Sequence, residues 1–161
     1  KIKEAPISIN LVISNVYKAK GLQYADQINV KKKIFDFKNI KTEKKILTLL
    51  KKEKINFICL AGFMKILSKN FIKKFGGKII NIHPSLLPKY KGLNTHYKAI
   101  ANKDKFAGCT VHYVTEKLDS GEIIMQKKIK IAARDNVVSL AKKVLKQEHI
   151  LYPAAIMKIF N

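Results

Sequence analysis

The chain has 161 residues, 47% of them hydrophobic, which is enough for one domain with a substantial core and too much for a disordered chain despite its charge. A formal net charge of +22 invites a nucleic-acid reading, but the charge is almost all lysine scattered from end to end, and Arg134 is the lone arginine. No apolar run approaches the ~20 residues of a membrane span, and no signal-peptide pattern is seen, so a cytoplasmic location is the expectation.

In chain order, Ile7 to Ile13 reads as a strand ending at Ser14-Asn15. Lys20 to Gln27 is a short helix, and Val30 to Phe37 holds a second extended run. Thr42 is expected to cap an amphipathic helix that carries Ile46, Leu49 and Leu50 and ends near Lys54. Asn56 to Leu60 is a compact strand with Ala61-Gly62 as its exit. Ser68 caps a helix through Lys74, and Gly76-Gly77 stops it. The run from Lys78 then delivers Asn81 and His83 to a strand end. Thr95 to Ala101 is a helix, and Gly108 to Val114 a strand with period-two alternation. Leu118 to Gly121 turns the chain, Glu122 to Ile131 returns as a strand, and Asn136 caps a final helix.

Strands alternating with helices predict an α/β fold: a mostly parallel sheet covered on both faces, with the late strand–turn–strand as an antiparallel addition. Such folds normally open with a strand, a Gly-rich turn and a phosphate-holding helix N-terminus. Here the first strand runs into Ser14-Asn15, and the only early glycine is Gly21. The chain therefore reads as one that lacks that opening strand and phosphate loop. Cys59 and Cys109, without C-x-x-C spacing, are expected to be buried, reduced thiols.

Residues 79–92 are the most informative stretch. An apolar strand brings Asn81 and His83 to its end, and Pro84 and Pro88 force a rigid, irregular loop after it. Strand ends are where α/β proteins bind ligands; a polar pair that merely caps the strand is the competing reading. Two further strand ends bear on the choice. Leu60 to Ser68 offers an apolar loop around Met64, and Val111 to Gly121 sets Asp119 in a tight turn. Together the three supply an apolar slot, an amide, an imidazole and a carboxylate, which is the inventory of a small-molecule enzyme site.

These residues resemble the folate-dependent formyltransferases, most closely the glycinamide ribonucleotide formyltransferases of purine (IMP) synthesis. The matching motifs are Ala61-Gly62-Phe63-Met64-Lys65-Ile66-Leu67, Asn81-Ile82-His83-Pro84-Ser85-Leu86-Leu87-Pro88 with Gly92, Leu118-Asp119-Ser120-Gly121, and Gln147-Glu148-His149 with Tyr152-Pro153. The match runs in register from about Ile7 onward. It implies a Rossmann-like formyltransferase catalytic domain over residues 1–161, incomplete at its N-terminus, with a catalytic trio of Asn81, His83 and Asp119. Formyl transfer from 10-formyltetrahydrofolate to an amine passes through a tetrahedral intermediate with a negative oxygen. Asn81 and a protonated His83 can donate hydrogen bonds to that oxygen. Asp119, if close, favours the imidazolium and can relay a proton from the attacking amine to the departing nitrogen.

The resemblance also assigns the pterin to Met64, Lys65, Ile66 and Leu67 and to backbone around Thr115, Glu116, Lys117 and Leu118. Pro84 and Glu148 fall to the nucleotide substrate, Glu148 on its ribose hydroxyls. His96, Thr110 and His112 become supports that orient the catalytic groups. No metal is implied, and neither a membrane nor a nucleic acid is an expected partner. Asn94 stands where relatives often carry His. The absent phosphate loop would weaken nucleotide binding and leave sheet edges open to association, with a homodimer among the expected states.

Other readings stay in play. Methionyl-tRNA formyltransferases follow the same serine–proline motif with a different segment from Gly92-Leu93-Asn94-Thr95-His96 and add a tRNA-binding domain; formyltetrahydrofolate deformylases differ at Pro84-Ser85-Leu86. A basic RNA-binding fragment is the remote alternative; a zinc site on His83, His96 and His112 ranks below it because no ligand cluster has metal spacing, and a Ser85 hydrolase is set aside because the chain lacks the G-x-S-x-G elbow.

Overall fold

The computed structural model of the chain describes residues 7–37 and 40–161. They fall into two compact units, one of the described residues up to Ile58 with Lys65–Gly77, the other of Cys59–Met64 with Lys78–Asn161.

The first unit opens with a βαβ element. Strand β1 (Leu11–Ser14) pairs in parallel with β2 (Lys31–Ile34), Leu11 opposite Lys31 and Ser14 opposite Ile34. Helix α1 (Lys20–Gln27) crosses between them and buries Leu22 and Ala25 against both strands. The exposed β2 lysines find acidic partners, Lys31 on Glu53 and Lys32 on Asp26. Helix α2 (Ile40–Lys52) buries Ile46 and Leu50. It starts ahead of Thr42, which is not its cap; Thr42 Oγ1 instead donates to the Asp36 carbonyl at 2.8 Å. Helix α3 (Lys69–Phe75) keeps its expected cap, with Ser68 Oγ accepting from the Phe71 N–H at 3.0 Å. Glu43 on α2 takes the Ser68 N–H and hydroxyl, so one carboxylate ties α2 to the start of α3. Gly76, at φ 71°, ends α3 in the left-handed conformation.

A second sheet is ordered β3-β4-β5-β6, where β3 is Phe57–Leu60, β4 Lys78–His83, β5 Phe106–Tyr113 and β6 Ile123–Lys130; β4, β5, β6 and the Cys59–Leu60 end of β3 belong to the second unit. Strands β4, β5 and β6 are successive antiparallel neighbours. Strand β5 departs from the expected alternation, because Ala107 through His112 are all buried. It lies inside the sheet and is covered on both faces, so polar and apolar residues alike are enclosed. Helix α5 (Val137–Phe160) packs Leu140, Val144 and Ala155 against β5 and β6. Asn136 and Ser139 cap it reciprocally, each side chain bonding the other's backbone N–H. Pro153 lies within α5, and the helix continues because Leu151 and Ala155 on either side are held in the core. Tyr152 donates its hydroxyl to the carbonyls of Leu60 and Ile80 at 2.8 and 3.3 Å, stapling β3 to β4.

Cys109 is buried as expected, but Cys59 is exposed. Among the described residues β3 is a terminal strand of its sheet, and none of its four residues is fully buried. Helix α4 (Thr95–Ala101) completes the unit against β5 and α5. No helix among the described residues is long and apolar enough to cross a membrane.

Candidate active site

Side chains two apart on a strand share a face, so Asn81 and His83 stand together opposite Ile80 and Ile82. The register then sets His112 across from Asn81 and Thr110 across from His83. Directly opposed residues project to the same side, which makes a polar row of four on one face. Gln126 of β6, opposite Thr110, extends it. The β5–β6 ladder shifts at this level: Val111 pairs Met125 and His112 pairs Ile123, leaving Ile124 as an extra residue.

Thr110 anchors the proline loop. Its hydroxyl donates to the Ser85 carbonyl at 2.6 Å and accepts from the Leu87 N–H at 3.0 Å and Gln126 Nε2 at 2.8 Å. One donor and two lone pairs are thereby all used. Gln126 also donates to the Leu87 carbonyl at 2.8 Å, beside the cis Leu87-Pro88 bond. Ser85 donates to the Lys89 carbonyl at 2.6 Å. The serine is a loop fastener rather than a nucleophile.

His83 is 7% exposed in its side chain and has oxygen at both ring nitrogens. Nε2 lies 2.9 Å from the Tyr90 carbonyl, which can only accept, so Nε2 carries a hydrogen. Nδ1 faces Asp119 Oδ2 at 3.5 Å. The same Oδ2 accepts the Gly92 N–H at 2.8 Å, and Oδ1 is 3.7 Å from His112 Nε2. Asp119 therefore sits between two imidazoles and on a backbone donor.

His112 plays the complementary part. Its Nδ1 is 2.9 Å from the Tyr113 carbonyl and so carries the hydrogen of the neutral ring. Nε2 is left as an acceptor, 3.4 Å from Asn81 Nδ2. Burial pushes the His112 pKa down, outweighing the Tyr113 carbonyl and the Asp119 charge, which both pull it up. The neutral ring turns the amide nitrogen of Asn81 toward itself and leaves the second amide hydrogen free. His96, half-buried on α4, is also pushed down, first by burial and then by the charge of His83.

The Asp119 turn is fixed by close packing. A Cβ on Gly121 would stand 1.8 Å from the Tyr113 carbonyl oxygen, so only glycine fits. Lys91 Nζ donates to Ser120 Oγ at 2.6 Å, joining the proline loop to the turn a second time.

Asn81, His83 and Asp119 are thus brought together, with Thr110 and His112 in direct contact with the loop and the trio and His96 near His83. Thr115, Glu116, Lys117 and Leu118 form the exposed approach to Asp119, and Leu118 is 51% exposed. Met64, at the exit from β3, is 70% exposed. Lys65, Ile66 and Leu67 belong to the first unit, where Ile66 is exposed and Leu67 buried. Pro84 is half-buried at the head of the loop. Glu148 on α5 has its pKa raised by burial. Its charge acts on Cys109, whose thiol is pushed up to about 12 by burial first and Glu148 second. Cys109 alternates with Thr110 and His112 and so occupies the other face of β5. Among the described residues no group of three or more His, Cys, Asp and Glu side chains is placed to hold a metal ion.

Three participants escape a reading of residue types: the Tyr90 carbonyl, the Gly92 N–H and Gln126. The first two are backbone groups that leave no trace in residue identity. Gln126 needs the β5–β6 register, which its position opposite Thr110 would have supplied.

The formyl transferase family model matches residues 1–156. The phosphoribosylglycinamide formyltransferase of Haemophilus influenzae is 41% identical over 157 residues, covering 95% of this chain and 74% of that protein. The human trifunctional purine biosynthetic protein adenosine-3 is 38% identical over 155 residues, covering 94% of this chain; the chain spans only 15% of that relative's length. Among solved structures, phosphoribosylglycinamide formyltransferase from Brucella melitensis aligns with a TM-score of 0.89 at 42% identity, covering 98% of this chain and 83% of that one. Glycinamide ribonucleotide transformylase 1 from Geobacillus kaustophilus aligns with a TM-score of 0.91 at 31% identity, covering 99% and 87%.

Proposed function

Because the chain belongs to the formyl transferase family, we propose that it transfers the formyl group of 10-formyltetrahydrofolate to the amine of glycinamide ribonucleotide, a step of cytoplasmic purine biosynthesis. The observation that carries this reading is the meeting of His83, Asp119 and Asn81 on one buried polar face. The 3.5 Å between His83 Nδ1 and Asp119 Oδ2 is longer than a committed charge-assisted hydrogen bond. In the protonated ring that this reading uses, Nδ1 also carries a hydrogen, and that N–H stays available to an oxygen that enters beside it.

In this reading the substrate amine attacks the formyl carbon, and the carbonyl oxygen becomes negative. Asn81 Nδ2–H and the His83 ring donate to that oxygen, as preorganised donors in a site largely shielded from water. Asp119, already held by Gly92 N–H, takes the proton that the amine sheds and returns it, directly or through water, to the folate nitrogen as the bond to the formyl carbon breaks. Bringing two substrates into line supplies much of the remaining acceleration.

The co-substrate is assigned, within the second unit, to the exposed apolar groups Met64 and Leu118 with the backbone of residues 115–118; a flat heterocycle suits apolar groups edged by backbone hydrogen-bonding groups. Pro84 and Glu148 are assigned to the nucleotide. The test is formyl transfer measured with and without glycinamide ribonucleotide. Formylated product that depends on the ribonucleotide supports the reading. Hydrolysis of the formyl group at the same rate without it would make the chain a deformylase instead.

A further inference from the structure

Asp104 lies outside every motif described above, on the turn that closes α4, where Asn102 and Lys103 bond back to Lys98 and Ile100. Its side chain is 12% exposed and both oxygens are engaged. Oδ2 accepts the Tyr90 hydroxyl at 2.8 Å, and Oδ1 accepts Lys89 Nζ at 2.6 Å. Asn102 Nδ2 donates to the same phenol oxygen at 2.8 Å, and Lys89 Nζ stands 5.0 Å from the centre of the Tyr90 ring.

All of these contacts converge on a residue in an unusual state. Tyr90 has φ 58°, the left-handed region that a bulky L-residue occupies only when its surroundings hold it there. In that conformation its carbonyl meets His83 Nε2 at 2.9 Å. Two residues further on, the Gly92 N–H meets Asp119 Oδ2 at 2.8 Å. The backbone of residues 90–92 therefore grips both members of the His83–Asp119 pair, and the side chain of Tyr90 is the visible handle on that backbone.

We infer that Asp104 is a positioning residue for His83: by fixing the Tyr90 hydroxyl it keeps the Tyr90 carbonyl against Nε2, which selects the protonated Nε2 and aims Nδ1 at Asp119. The ring neither touches Asp104 nor needs its charge; it needs the tyrosine backbone held in the left-handed state. The kinetic consequence rests on the formyl-transfer reading, whereas the effect on the His83 ring does not.

The experiment uses Tyr90→Phe, Asp104→Ala, Asp104→Asn and the double variant Tyr90→Phe/Asp104→Ala in the full chain, with formyl-transfer kinetics and the imidazole ¹⁵N signals of His83 as readouts. Tyr90→Phe and Asp104→Ala should each lower kcat about tenfold, with KM for either substrate moved less than about twofold. Because both act through one bond, the double variant should be no slower than the slower single. Asp104→Asn keeps an oxygen for the phenol and should retain most of kcat. With the ring brought to its neutral form by raising the pH, the His83 signals of the native chain should report Nε2–H, and in Tyr90→Phe and Asp104→Ala they should move toward a mixed tautomer. Unchanged His83 signals in both variants overturn the inference, whatever happens to the melting temperature, and so does additive loss in the double variant. If the native chain transfers no formyl group, the proposed function fails, and the ¹⁵N signals alone decide the role of Asp104.

Discussion

Asn81 and His112 face one another across the β4–β5 ladder, the amide nitrogen 3.4 Å from an imidazole nitrogen that the Tyr113 carbonyl leaves as an acceptor. The neutral histidine thereby decides which end of the asparagine amide faces the site. On the proposed mechanism, replacing Asn81 by Ala removes an oxyanion donor and should lower kcat by about 10²–10³. His112→Phe keeps the Asn81 amide but removes its orienting acceptor, along with the imidazole beside Asp119, and should cost about tenfold. Initial rates of formyl transfer at saturating substrates check both, and equal losses in the two variants would contradict the division of roles.

His83→Ala and Asp119→Ala should each cut turnover by orders of magnitude. Asp119→Asn is the sharper probe, because an amide oxygen can still accept the Gly92 N–H while the negative charge is gone. It should hold the melting temperature within a few degrees and still lose at least about a hundredfold in kcat. Near-native turnover in Asp119→Asn would remove the carboxylate from the proton relay.

The two lowered histidines make stability depend on pH in a definite direction. His112 and His96 both titrate below the ordinary imidazole value of 6.5 in the folded chain. Between that value and the lower folded values, the unfolded chain binds more protons than the folded one. Stability is therefore full above about pH 6.5 and falls as the solution is acidified through that window. Thermal melts from pH 8 to pH 5 should show the decline, and His112→Gln should flatten it. A melting temperature that rose on acidification, or a slope unaffected by the substitution, would contradict the assignment.

Gly121 offers a test of packing at the site. Since a Cβ would lie 1.8 Å from the Tyr113 oxygen, Gly121→Ala must displace the turn that carries Asp119. The cost should be about 1–3 kcal/mol in urea unfolding, as for other overpacked positions, accompanied by loss of activity out of proportion to the unfolded fraction. Full activity with native stability would mean that the turn yields without moving Asp119.

The face that carries Asn81 and His83 was legible in the sequence because an apolar strand with two polar residues at i and i+2 has few places to end. The end of α3 was legible for a similar reason: Ser68 and Gly76 are a cap and a stop whose chemistry is local. The start of α2 was misjudged, since Thr42 has the chemistry of a cap but spends its hydroxyl on Asp36, outside the helix. Cys59 is exposed against expectation, because an apolar run marks a strand but not that the strand ends its sheet with none of its residues fully buried. The direct contact of His112 with Asn81 and Asp119 depends on register, which is set by pairing across 31 positions of sequence rather than by either strand alone. Tyr90 and Asp104 were silent because one acts through its carbonyl and the other through Tyr90.

Asp119 holds φ 44°, a left-handed backbone that Asp, Asn and Gly tolerate and most other side chains resist. On the proposed mechanism the position is therefore screened twice, once for shape and once for charge. Asn passes the first screen and fails the second. Glu keeps the charge on a longer arm but is poorly suited to the backbone. An unbiased mutational scan would find position 119 intolerant almost everywhere and could not say which screen had rejected each variant. Asn is the substitution that isolates the chemistry, and Asp is the one residue of the twenty that satisfies both.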